Sequence, residues 1–200
     1  VSAPAAFPGP LELRRPDACP ELRIWVLARH VDLEAACVEL AEGEPPPYWA
    51  FCWAGGQALA RYLLDHPDEV RGRRVVDFGA GCGVAGIAAL RAGASALCAV
   101  DCDPAALRAV LRNAHANGVR AEVAAELPAD WDVLLAGDVL YEAGNRERLL
   151  AQVRAGRRVL VADPERAREH RMGLAPLARI EARTLPDVDP PVKSASIFAL

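Results

Sequence analysis

The chain has 200 residues, of which 52% are hydrophobic and 25% charged, and carries a formal net charge of -4. That length suits one domain with a sizeable core better than two, and the composition is that of an ordinary soluble globule. A net charge of -4 argues against a general nucleic-acid binder, which is expected to carry a basic face, though it leaves room for a local basic patch, and no run approaches the roughly 18 apolar residues of a membrane span, so nucleic acid and membrane are set aside as partners.

In chain order, residues 1–10 hold Pro4, Pro8 and Pro10 among small residues and predict a mobile lead-in. They show no charged start followed by an apolar core, so the expectation is a cytoplasmic protein. The run L-R-I-W-V-L at 22–27 predicts a strand within an N-terminal extension over residues 1–44, and Asp32 would cap a short helix over 32–40. Pro45, Pro46 and Pro47 stop that helix. The next segment, Y-W-A-F-C-W at 48–53, holds two of the four tryptophans and reads as a packed lid or a stacking surface. Residues 57–64 place Leu59, Tyr62 and Leu63 at helical spacing before His66 and Pro67 end the helix.

From Arg74 short apolar strands alternate with amphipathic helices. Strands are predicted near 74–78, 96–100, 121–125, 132–137 and 157–162, and helices over 84–92, 104–116 and 144–154. This alternation implies an α/β fold with a doubly wound, mostly parallel sheet over residues 45–200. Apolar runs at 177–185 and 195–200, with no helical segment between them, predict a C-terminal antiparallel hairpin closing the sheet edge.

Three motifs carry chemistry. V-V-D-F-G-A-G-C-G-V-A-G at 75–86 reads as a buried strand, a tight loop and a helix start. Gly79 and Gly81 leave room for a ligand near the backbone, and Gly83 lets the helix pack onto the strand. The spacing is D-x-G-x-G-x-G, although Gly81, Gly83 and Gly86 also satisfy the dinucleotide pattern. Asp77 ahead of the first glycine suits a ligand with an ammonium group better than a pyrophosphate, which favours S-adenosylmethionine (SAM) over NAD.

The second motif, V-D-C-D-P at 100–104, puts Asp101 at the end of the next strand, where one carboxylate can accept from both ribose hydroxyls. Asp103 with Pro104 reads instead as a helix N-cap. In the third, the apolar strand before Gly137 delivers Asp138 to the ligand-binding end of the sheet. If 139–141 begin a helical turn, Tyr141 faces the same crevice. The structural alternative is that Asp138 only caps the next helix and Tyr141 packs. Asp163-Pro164 reads as a strand end followed by a helix start. The six cysteines form no C-x-x-C pair and do not cluster with the four histidines, so they read as free thiols in a reducing compartment, with no metal site.

Together D-F-G-A-G-C-G, V-D-C-D-P and the D-x-x-Y of Asp138 to Tyr141 resemble the seven-β-strand SAM-dependent methyltransferases, and among them the lysine methyltransferases marked by D-x-x-Y. The run P-P-Y-W-A-F-C-W-A-G-G-Q-A-L-A-R-Y-L at 46–63 is similar to the electron transfer flavoprotein β-subunit lysine methyltransferase family, including its bacterial members. The resemblance extends over about residues 45–163. It implies a Rossmann-like class I methyltransferase fold and a lysine-bearing protein substrate, the flavoprotein β subunit; the sequence leaves the oligomeric state open, with a monomer slightly favoured.

By that resemblance SAM lies over Gly79, Gly81 and Gly83, with its amino-acid end near Asp77, its ribose on Asp101 and Trp53 closing the pocket. Trp131 or Glu126 would border the adenine. Asp138 would orient the lysine nitrogen at the end of the cofactor, and Tyr141 would bound the channel. Glu165-Arg166 stands where the family has Gly-Arg, and the C-terminal region is short, which bears on the substrate more than on the chemistry. A ribosomal-protein or small-molecule methyltransferase, a silent SAM-binding protein and an NAD-dependent oxidoreductase are the competing readings.

Overall fold

The computed structural model describes residues 10–28, 46–164, 174–188 and 191–200. The expected lead-in before residue 10, the helix over 32–40 and the helix start beyond Pro164 lie outside the described residues.

The chain opens with an antiparallel ribbon, β1 (Leu11–Arg14) against β2 (Ile24–Leu27). A 3-10 turn (Tyr48–Ala50) leads into helix α1 (Ala54–Asp65), which ends at His66 and Pro67 as expected. The alternating region follows as β3 (Arg74–Phe78), α2 (Val84–Arg91), β4 (Ala96–Val100), α3 (Pro104–Ala116), β5 (Glu122–Ala124), β6 (Val133–Gly137), α4 (Ala143–Arg154) and β7 (Arg158–Asp163). Strands β8 (Ala178–Glu181) and β9 (Ser194–Ala199) complete the described elements. The seven-stranded sheet has the order β5-β4-β3-β6-β7-β9-β8. It is parallel from β5 through β7 and antiparallel where β9 pairs with β7 and β8. The predicted doubly wound sheet and its C-terminal antiparallel pair are both present.

Strand alternation sorts the core into two layers. Val75, Leu97, Val133, Leu135 and Leu160 face α1 and α2, where Leu59 and Leu63 are fully buried. Each such leucine contributes roughly 1.5–3 kcal/mol of burial. Val76, Phe78, Val100, Leu134, Ala136, Val159 and Val161 face the other way, with Leu149 of α4. Helix α3 joins the first layer through Val110 against Ala99. The chain runs outward from β3 through β4 to β5 and then crosses back to β6 on the other side of β3, and this reversal opens a crevice at the carboxyl ends of these strands.

The N-terminal ribbon shares this core. Leu22, Ile24 and Val26 pack with Val84, Ile87 and Ala114. Asn113 Oδ1 accepts the Trp25 N–H at 2.8 Å, and Asn117 Oδ1 accepts the Arg23 N–H at 2.9 Å. The sequence did not reveal β1, because four residues carry too little alternation to register; pairing with β2 makes it a strand.

Candidate active site at the carboxyl ends of the strands

After β3 the backbone takes positive φ at Gly79 (65°) and Gly81 (53°), a conformation open to glycine at little steric cost. A Cβ built on Gly81 would meet no atom within 4 Å, so open space lies over the loop. A Cβ on Gly79 would come within 2.7 Å of Val139 Cγ1, so the loop abuts the turn after β6. Two of the predicted motifs therefore meet in space.

The two acids beside the loop hold it differently. Asp101 Oδ2 accepts the Gly81 N–H at 2.9 Å and Oδ1 accepts the Asp103 N–H at 3.0 Å. Each oxygen retains lone-pair capacity for a further donor, the requirement for gripping a diol. Asp77 lies beneath the loop, 3% exposed, with Oδ2 accepting the Gly86 N–H at 2.8 Å. Burial pushes its carboxyl up from 3.8 to about 7; the Gly86 hydrogen bond opposes this and nearby Asp101 adds to it. An ammonium group arriving nearby would favour its ionised form. Asp103 is the expected N-cap, accepting the Ala105 N–H at 2.7 Å, with Pro104 in the first turn.

Asp138 is the one non-glycine residue with positive φ among the described residues, at 62°. Asp and Asn tolerate this region better than other side chains, yet it still favours a short polar residue over a branched one. Its N–H donates to the Ala162 carbonyl at 2.9 Å, continuing the β6–β7 ladder by one step. Gly55 of α1 presses on it: a Cβ there would lie 2.8 Å from Asp138 N and 2.9 Å from Asp138 Cβ. Residues 139–141 form a turn, and α4 begins only at Ala143 behind Glu142, so Asp138 is not the N-cap of that helix.

Tyr141 leaves this turn 58% exposed, its ring centroid 6.4 Å from that of Tyr48. Trp53, the residue before α1, donates its indole N–H to the Tyr48 carbonyl at 2.8 Å and leans on Phe51 and Tyr48. The aromatic segment is thus both packed and partly open.

A family profile described as ribosomal protein L11 methyltransferase (PrmA) matches residues 57–141, a span that holds the loop, Asp101, Asp138 and Tyr141. The electron transfer flavoprotein beta subunit lysine methyltransferase of Xenopus laevis is 39% identical over 160 residues, covering 74% of this chain and 64% of the frog protein. The human protein of that name is 41% identical over 131 residues, covering 60% and 50%. The chain is a homologue of these lysine methyltransferases on a class I methyltransferase fold. It spans between 50% and 64% of the length of these two relatives. Among solved structures, the ribosomal protein L11 methylase of Lactobacillus delbrueckii subsp. bulgaricus superposes with a TM-score of 0.52 at 20% identity, covering 73% of this chain and 78% of that one, which speaks for the fold.

In this lysine methyltransferase homologue Trp53, Asp77, Gly79, Gly81, Gly83, Asp101, Asp138 and Tyr141 all gather at one end of the sheet, and Glu126 follows β5 at that same end. Trp131 does not join them. It precedes β6, at the amino end of a parallel strand, buried in the cluster on the second face of the sheet with the Arg157 guanidinium 4.4 Å from its ring. A tryptophan two residues before a strand is held at the end opposite the crevice, so an adenine-bordering role does not suit it.

Sequence reasoning overlooked three supports. Gly55 and Gly137 let α1 touch β6 backbone to backbone. Asn113 also donates to the Cys82 carbonyl at 2.8 Å, tying the glycine loop to the N-terminal ribbon. Buried Gln57 donates to the carbonyls of Cys52 and Arg183 and so fixes the aromatic segment. An amide within an apolar block was the available signal for Gln57, and the i, i+4 pair Asn113 and Asn117 on α3 was the signal for the other.

Proposed function

We propose that this chain is a SAM-dependent protein-lysine N-methyltransferase, and that its substrate is the β subunit of electron transfer flavoprotein. The observation that carries the reading is the meeting of the Asp138 turn with the glycine loop, Gly79 against Val139, beside Asp101 and Tyr141. The open space over Gly81 and the free capacity of Asp101 fit a nucleoside cofactor whose ribose the acid would hold; buried Asp77 fits one bearing an ammonium group. SAM, when bound there, supplies an electrophilic methyl on a sulfonium centre. The reading further places the protein in the cytoplasm. Among the described residues no helix is long and apolar enough to cross a membrane.

The residues of the chain meet a definite chemical demand. A lysine with a pKa of about 10.4 is neutral in roughly one molecule per thousand at neutral pH, and only the neutral amine has the lone pair that attacks. Desolvation as the amine advances past Trp53 toward the cofactor, with loss of its proton to water, favours that form at the moment of attack. Asp138 accepts from the amine and aims its lone pair; as an anion it would stabilise the ammonium, so its role is orientation.

The test is methyl-labelled SAM with purified electron transfer flavoprotein, comparing wild type with Asp138→Asn, which keeps a residue tolerant of positive φ. Label on lysine of the β subunit, with turnover reduced roughly 100-fold in the variant and cofactor affinity retained, is the expected result. Equal turnover in the two proteins would remove Asp138 from the mechanism. A ribosomal-protein substrate is the second reading, favoured by the L11 family match. That match begins at residue 57, after the aromatic segment, so ribosomal protein L11 belongs in the same assay as the competing acceptor.

A further inference from the structure

The segment ahead of α1 supplies a group that the loop motifs do not contain. Tyr48 opens the 3-10 turn behind Pro46 and Pro47, and its carbonyl is anchored by the Trp53 indole. Its side chain is nevertheless 49% exposed, and Tyr141, which arrives from the turn after β6, is 58% exposed. Their centroids lie 6.4 Å apart with the planes tilted 53°. Two exposed rings so close and so inclined can both present a face to one ligand. A cation seated off the line between them can sit about 5 Å from both centroids, inside the roughly 6 Å reach of a cation–π contact.

Among the described residues, the groups that act on the Tyr141 phenol are acids: burial raises its pKa first, and Glu142, Tyr48, Asp138 and Asp101 add to that, three of them carboxylates. An anionic ligand would be repelled there. A neutral apolar ligand would use the rings and waste the carboxylates, whereas an alkylammonium uses both.

We propose that Tyr48 and Tyr141 form a cation-selective notch that grips the alkylammonium side chain of the substrate, with Tyr48 a substrate-binding residue contributed from outside the motif-bearing core. The assignment of that side chain to lysine rests on the function proposed above. One consequence follows from hydration. Methylation leaves the charge in place while weakening its hold on water, so the notch retains partly methylated lysine better than unmodified lysine and favours successive transfers.

The test needs no turnover. Wild type, Tyr48→Phe and Tyr48→Leu, each saturated with S-adenosylhomocysteine, are titrated with the amide of N-acetyl-trimethyllysine and with its uncharged tert-butyl isostere, followed by the ring-current shift of the methyl protons. Wild type and Tyr48→Phe should bind the cation at least 5-fold more tightly than the isostere, with its methyl signal moved upfield. Tyr48→Leu should lose about 5- to 10-fold in cation affinity at unchanged S-adenosylhomocysteine affinity. Equal binding of cation and isostere to wild type, or of the cation to wild type and Tyr48→Leu, overturns the notch. So does a parallel fall in S-adenosylhomocysteine affinity, which would make Tyr48 a mere prop for Trp53. Lysine methylation assayed alongside separates the two claims: cation-selective binding with no transfer to lysine leaves the notch and overturns the enzyme assignment, and transfer with wild-type kcat/KM in Tyr48→Leu does the reverse.

Discussion

Replacing Asp77 by Asn removes a buried titratable group while keeping its shape and an acceptor for the Gly86 N–H. Burial pushes the Asp77 carboxyl up to about 7 in the folded protein from an ordinary value of 3.8. One pH unit corresponds to about 1.4 kcal/mol, so ionising this group inside the fold costs on the order of 4 kcal/mol relative to the unfolded chain. The sign follows from proton binding. Between the two pKa values the native state binds more protons than the unfolded state, so the stability present below the unfolded pKa is lost as pH rises through the folded one. From about pH 5 to about pH 8 wild type should lose roughly 2–3 kcal/mol that Asp77→Asn does not lose. Urea denaturation of both ligand-free proteins across that range measures the difference directly. Parallel stability curves for the two proteins would refute the raised pKa, and with it the picture of a carboxyl held in reserve for a cationic ligand.

Gly55→Ala would drive a Cβ to 2.8 Å from Asp138 N and 3.0 Å from the Ala162 carbonyl, both backbone atoms that cannot rotate away. It should cost about 1–3 kcal/mol and reduce turnover more than cofactor affinity; a folded variant with wild-type turnover contradicts this. Asn113→Ala strips partners from the Cys82 carbonyl and the Trp25 N–H together. A loss of about 2–4 kcal/mol by chemical denaturation is expected, with faster amide exchange in residues 79–83, and a change below 1 kcal/mol would show that the link between ribbon and loop is weak. Asp103→Ala removes the α3 cap and should cost about 1 kcal/mol in thermal melts, with no effect on ribose binding. A larger loss of cofactor affinity than of stability would move Asp103 from scaffold to site.

Local chemistry made much of this molecule legible. The alternation of apolar strands and amphipathic helices sets the β–α order, since periods of 2 and 3.6 expose different faces of the chain. Glycines at 79 and 81, Asp101 after a strand and Asp103 before Pro104 announced a loop, an acid and a cap, because each depends on its nearest neighbours. The side-chain identity of Asp138 at a strand end was equally readable. Its positive φ was not, being imposed by the pressure of α1 and the hydrogen bond to Ala162.

What only the tertiary structure decided are the meetings between segments distant in sequence. Trp131 and Trp53 are the same residue type beside apolar runs, but Trp131 precedes a parallel strand and lies at its amino end, whereas Trp53 precedes α1, whose first turn lies against Asp138 at the crevice. Strand β1 exists through its pairing with β2, the ribbon is held by two asparagines from α3, and Tyr48 reaches Tyr141 only because α1 lies across the β6 turn. Sequence thus determined the elements and the chemical groups, whose causes are local. Folding decided which groups share a site, because close packing brings together side chains that no spacing rule along the chain connects.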